Sequence, residues 1–201
     1  MKKITLLILT FLLSFSGFSQ VLNEGFEGGT FPPTVPGNWA VFQNGFGSNV
    51  WTTNTVLPHT GTKAAQINSR QNIGMGNTSK DFLATPLVTV PTNGQLRFWS
   101  RTAVNGNQGT KYQVRIASGA LPANQTDEAA YTTLVQEWTE DELSTTYNIY
   151  EEKVVDLTAY AGQQIYIAFV DEYTQASTTL SGDSWLLDDI LLVSRCLDPT
   201  T

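Results

Sequence analysis

Apolar and polar residues alternate with a period of two along much of this chain, which is the pattern of strands rather than helices. In "KYQVRIAS", Tyr112, Val114 and Ile116 alternate with Lys111, Gln113 and Arg115, so one face is apolar and the other wet. In "QQIYIAFV", Ile165, Ile167 and Phe169 point one way and Tyr166, Ala168 and Val170 the other. "QLRFWS" sets Leu96 and Phe98 against Trp99, and "DFLATPLVTV", "TTLVQEW", "YEEKVVDLT" and "SWLLDDILLV" predict further strands. No segment keeps a helical period over several turns. "ANQTDEAAYTTLVQEW" is the one weak candidate, equally readable as a loop feeding a strand.

Turn-rich segments such as "EGGTFPPTVPGNW", "NGFGSN" and "TQASTTLSGDS" separate these runs, because glycine, asparagine and proline accept the dihedrals that turns require. Strands punctuated by turns read as an all-β sandwich, not an α/β fold.

Residues 1–19 stand outside the pattern. A basic "MKK", an apolar "ITLLILTFLL" and small residues at Gly17 and Ser19 predict a secretory signal peptide. The apolar run is about half of the roughly 20 residues a membrane span needs, so no transmembrane segment is expected. One domain then covers residues 20–195, and "CLDPTT" at 196–201 reads as the start of a linker or tail. Additional domains C-terminal to Thr201 are expected on that reading. Without residues 1–19 the chain holds 9 basic and 18 acidic residues, a charge of −9. Nucleic acid is a poor partner for such a surface, since phosphate binding rests on clustered Lys and Arg.

Most catalytic chemistry lacks its residues. Histidine occurs once, at His59, and cysteine once, at Cys196, which leaves no Cys–His pair and no histidine cluster for zinc. His59 has no nucleophile elbow to serve. "GMGNTSK" lacks the flanking strand and helix that make a phosphate loop. The acids of "EEK" and "TEDEL" could pair for glycoside hydrolysis but read first as solvated faces.

"SWLLDDILLV" poses the sharpest question. Strict alternation puts Asp189 with Trp185, Leu187, Leu191 and Val193, and Asp188 with Leu186, Ile190 and Leu192. Both faces look buried, and an unpaired buried charge costs several kcal/mol. Protonation, a basic partner, a metal ion, or an exposed bulge at the strand end would each resolve this. A hard cation such as Ca²⁺ neutralises several carboxylates at once and accepts carbonyls too. "LNEGFEGG" then offers Glu24 and Glu27 around Phe26, and "KDFLATP" offers Asp81.

The ordered pieces "NEGFEGGTFPPTVPGNW", "HTGTKAAQI", "DFLATPLV", "LRFWSR", "VDLTAYAGQQIYIAF" and "WLLDDILL" resemble the cleaved adhesin, or choice-of-anchor J, family of secreted bacterial proteins. The resemblance spans residues 21–194. It implies a jelly-roll β-sandwich of two antiparallel sheets, similar to MAM and carbohydrate-binding modules. It also implies one structural Ca²⁺ tying the first and last strands together, bound by the Gly25 carbonyl, Glu27, Asp81, Asp188 and Asp189. Some members carry a second calcium loop between two tryptophans. Here the matching positions are Gln43, Gly45, Gly47 and Asn49, none of them a carboxylate, so one ion is expected.

The function expected from these readings is a non-catalytic adhesion module, secreted or displayed at the cell surface, that binds an extracellular glycan or a host or matrix protein. Trp99, Trp138 and Tyr150 are candidates for sugar stacking, with ordinary packing as the alternative. The competing reading is an accessory binding domain of a larger secreted peptidase or glycoside hydrolase.

Overall fold

The computed structural model describes residues 21–68 and 71–195. The predicted signal peptide and the 196–201 tail, with Cys196, lie outside the described residues. Twelve strands form nearly all of the regular structure: β1 (Leu22–Glu24), β2 (Ala40–Gln43), β3 (Thr52–Asn54), β4 (Ala64–Asn68), β5 (Thr78–Ala84), β6 (Val88–Thr89), β7 (Gly94–Thr102), β8 (Thr110–Ser118), β9 (Thr133–Thr139), β10 (Glu151–Asp156), β11 (Gln164–Thr174) and β12 (Ser184–Ser194). They build two antiparallel six-stranded sheets. Sheet A runs β10-β7-β12-β4-β3 with β1 against β12; sheet B runs β2-β5-β11-β8-β9 with β6 against β11. This is the expected jelly-roll sandwich.

The period-two pattern decides which side chains lie between the sheets. Leu96 and Phe98 of β7, Ile165, Ile167 and Phe169 of β11, and Trp185 and Leu187 of β12 all join one interior cluster. Each large side chain buried this way contributes roughly 1.5–3 kcal/mol. Tyr166, Ala168 and Val170 fill a second cluster on the outer face of sheet B, where Phe42 stacks on Phe82 at 4.6 Å and Tyr131 leans on both. That cluster lies under the weak helical candidate, which forms two short 3₁₀ turns (Pro122–Thr126 and Glu128–Ala130) and then feeds β9. A single helical turn, α1 (Glu140–Leu143), follows β9.

One expectation is corrected in β12. The strand pairs with β7 as far as Asp188↔Trp99, and pairing resumes at Leu191↔Arg97, so one extra residue is accommodated. Asp189 takes φ +47°, the left-handed conformation found in such bulges. The bulge shifts the phase of alternation: the core side chains are Trp185 and Leu187 before it, then Ile190 and Leu192 after it. Leu191 and Val193 therefore do not share a face with Trp185.

Candidate functional site

Antiparallel pairing of β1 with β12 sets Glu24 opposite Ile190, beside the bulge. Phe26, at φ +60°, is buried against Phe31 and Trp39, which anchors the turn that carries Gly25 and Glu27. The Glu24 carboxylate accepts the Phe26 N–H at 2.6 Å, and Gly25 stands beside the bulge, since a Cβ there would meet Asp189 Oδ1 at 3.6 Å.

The acids of both strands converge on residues 59–63, "HTGTK". Asp188 Oδ2 accepts the N–H groups of His59 (2.8 Å) and Thr60 (3.1 Å), and Oδ1 accepts the N–H of Asp189 (2.8 Å). Asp189 accepts the Thr60 hydroxyl at 2.7 Å, and its other oxygen lies 2.7 Å from His59 Nδ1. Glu27 Oε1 accepts the N–H groups of Thr62 and Lys63, both at 2.9 Å, while Oε2 accepts the Thr62 hydroxyl at 2.7 Å. Lys63 Nζ donates to the carbonyls of Glu27 (3.3 Å) and Gly28 (2.6 Å). Gly61 has φ +62°, and a Cβ there would collide with the Glu27 carboxylate. The segment thus ties the chain's first described strand to its last.

Its electrostatics are those of crowded acids. Burial pushes the pKa of Glu24 up, its Phe26 hydrogen bond opposes this, and the nearby Asp188 charge adds to the rise. Burial likewise raises Asp188, against three backbone hydrogen bonds, and Asp189 adds repulsion. Glu27 is held low by the hydroxyl and N–H of Thr62 and by Lys63.

Glu27, Asp188 and Asp189 therefore all meet the segment 59–63, and Gly25 stands beside Asp189. Asp81 is not among them. It lies on β5 in sheet B and alternates with Phe82, so it points between the sheets alongside Leu83. Asp188, paired with Trp99, faces the opposite side of sheet A. Both Asp81 oxygens are buried without a hydrogen-bond partner, and burial raises its pKa to about 7. Sequence reasoning assigned no role to residues 59–63 beyond the resemblance. The signal was present in a run of short hydroxyl donors around a glycine, but its partners lie 35 to 130 residues away.

The donor set has the chemistry of a hard dication site: carboxylate oxygens of Glu24, Glu27, Asp188 and Asp189 and the Gly25 carbonyl. Each carboxylate oxygen can accept two bonds, and those of Asp189 each have one partner, so accepting capacity remains. Among the described residues no three acidic, histidine or cysteine side chains gather about one point at ligand spacing. The oxygens of Glu27 and Asp189 and Asp188 Oδ2 turn instead to residues 59–63, while Glu24 accepts from Phe26 and Asp188 Oδ1 from Asp189.

The other candidates are engaged in packing or structural bonds. Trp99 is covered by the His59 ring at 3.9 Å, Trp138 meets Phe98 edge-on at 6.0 Å, and the Tyr150 hydroxyl donates to the Leu57 carbonyl at 2.8 Å. The "EEK" and "TEDEL" acids do not face each other across a cleft. Glu152 forms a fork with Arg97, Glu151 accepts from Thr145, Glu140 accepts the Gln108 and Thr110 N–H groups, and Glu142 caps at Thr139.

The sequence model of the Cleaved Adhesin Domain family matches residues 19–191. Two Hemagglutinin A proteins of Porphyromonas gingivalis align over 171 and 173 residues at 31% and 28% identity, each covering 75% of this chain. The chain spans only 6% and 7% of their lengths. Among solved structures, the K3 cleaved adhesin domain of Lys-gingipain from P. gingivalis W83 superposes with TM-score 0.61 at 23% identity, covering 89% of this chain and all of that one. TmCBM61, solved with β-1,4-galactotriose, gives TM-score 0.52 at 16% identity over 85% of this chain and 94% of its own. The CBM22-1–GH10 modules of a Clostridium thermocellum xylanase, complexed with xylohexaose, give 0.53 at 11% identity over 90% of this chain and 30% of theirs. At these identities the structural likeness speaks to fold.

Proposed function

Because this chain belongs to the cleaved adhesin family, we propose that it is a non-catalytic adhesion module, exported and working at or outside the cell surface, with an extracellular glycan as its ligand. The observation that carries this is the reach of the family match, which takes in the sandwich from before β1 to the middle of β12. The sandwich neighbours solved with galactotriose and xylohexaose support a saccharide over a protein ligand. The engagement of the acids supports a binding role, since Glu27, Glu140, Asp188 and Asp189 accept bonds from the chain's own backbone and hydroxyls.

Calcium belongs to this proposal. Gly25, Glu27, Asp188 and Asp189, joined by Glu24, would hold one ion. When bound it would offset the repulsion among buried acids. The residues themselves position 59–63 and fasten β1 to β12. A second reading, an accessory domain of a larger secreted peptidase or glycoside hydrolase, is favoured by the small share of its curated relatives that the chain spans. An array of glycans and matrix proteins, probed in calcium and in chelator, tests the proposal. Glycan capture that weakens in chelator is the expected result; capture of matrix proteins alone would overturn the glycan ligand.

A further inference from the structure

The outer face of sheet A carries a groove of about 380 Å³, lined by Ser48, Asn49, Val50, Thr52, Gln66 and Asn68. We propose that this groove is the saccharide site and that it selects neutral sugars; the inference rests on the glycan reading above. Its volume lies within the ordinary range for small-ligand sites, roughly 300–1,000 Å³. Two other depressions are smaller: about 100 Å³ beside α1, with Glu140 and Asp141 in its wall, and about 130 Å³ beside Glu24.

The lining is chemically distinctive. Five of the six residues are amides or hydroxyls on β3, β4 or the turn before β3, and no described lining residue is ionisable. Amides present donors and acceptors in one plane, and hydroxyls do both, which matches the paired donor and acceptor character of sugar hydroxyls. Val50, 40% exposed, adds an apolar patch for sugar C–H groups. An anionic sugar would gain no cationic partner from this lining, and it would meet a protein carrying twice as many acids as bases once residues 1–19 are removed.

The polar groups are also fixed in orientation. Asn54 Nδ2 donates to Gln66 Oε1 at 2.7 Å, which leaves the Gln66 NH₂ as the donor on offer. Asn49 Nδ2 donates to the Asn68 carbonyl, which leaves Asn49 Oδ1 as an acceptor. Ser184 Oγ donates to Asn68 Oδ1 at 3.0 Å, and the Ser48 N–H is held by Gln71 Oε1 at 3.0 Å. Side chains held this way need little ordering when a ligand arrives. Because β3 is the outermost strand of its sheet, the groove is open at the sheet edge and can pass a chain of sugars.

The test is calorimetric titration of the purified protein with neutral oligosaccharides, β-1,4-galactotriose and xylohexaose among them, beside a uronic-acid oligosaccharide. At least one neutral sugar should bind and the acidic one should not. Gln66→Ala and Asn49→Ala should each weaken binding about tenfold, the effect of losing one hydrogen bond. Gln66→Glu, similar in size but without the donor, should weaken it at least as much. Asn105→Ala, in the depression beside α1, should bind as wild type. Melting points measured alongside separate lost binding from lost folding. If a neutral sugar binds and the Gln66 and Asn49 variants bind equally well, the groove is not the site, although the glycan reading stands. If only the acidic sugar binds, the selectivity is wrong; if no sugar binds, the groove and the glycan reading fall together.

Discussion

Asp81 is a carboxylic acid whose two side-chain oxygens are buried without a hydrogen-bond partner. Across the sheet it is paired with Gln43 on β2 and Asp171 on β11, and Tyr112 follows on β8, so no basic residue shares its row. Burial raises its pKa from 3.8 to about 7. For an acid raised in the folded state, no penalty exists below about pH 4, where both states are protonated. Between about pH 4 and pH 7 the unfolded chain ionises while the folded one does not, so stability falls; above that the penalty is constant, on the order of 4 kcal/mol. Asp81→Asn should therefore leave stability nearly unchanged at pH 4 and raise it by a few kcal/mol at pH 8. Urea unfolding at the two pH values checks this, and an equal effect at both would refute it.

At the scale of the element, β12 carries the most information. Its hydrophobicity marks it as a strand in the centre of a sheet, and it is one, flanked by β7 and β4. What alternation could not give is the bulge. A period of two assumes regular pairing, and one inserted residue at φ +47° moves the core positions from Trp185 and Leu187 to Ile190 and Leu192. The bulge also lets two adjacent aspartates both reach residues 59–63. Asp189→Asn keeps a side chain that tolerates the left-handed conformation and should lower the melting point modestly. Asp189→Val places a β-branched residue there and should cost about 1–3 kcal/mol more. Similar melting points for the two variants would count against a strained bulge. The strands, the interior face and the nearness of Gly25 and Glu27 to the paired aspartates were legible because they rest on local alternation or on short ordered motifs. Asp81 and the "HTGTK" segment were not, since their roles depend on which sheet face and which distant strand they meet.

At the scale of the whole molecule, the described residues begin and end on neighbouring strands, β1 and β12, and the pair is fastened through a loop from elsewhere in the chain. These ties are noncovalent and exist only in the folded chain, so they stabilise through the contacts made and must offset the entropy of closing the intervening loops. It also draws Glu24, Glu27, Asp188 and Asp189 together in a protein whose charge is already negative, which is why a dication is proposed there. The fastened end and the uncharged groove both involve sheet A, so the proposed clasp would hold firm the sheet that presents the groove. Thermal unfolding of the purified protein in calcium and in chelator tests this link most directly. The proposed clasp predicts a midpoint several degrees lower in chelator, with the difference lost in Glu27→Gln and Asp188→Asn variants. Identical wild-type midpoints under the two conditions would contradict it.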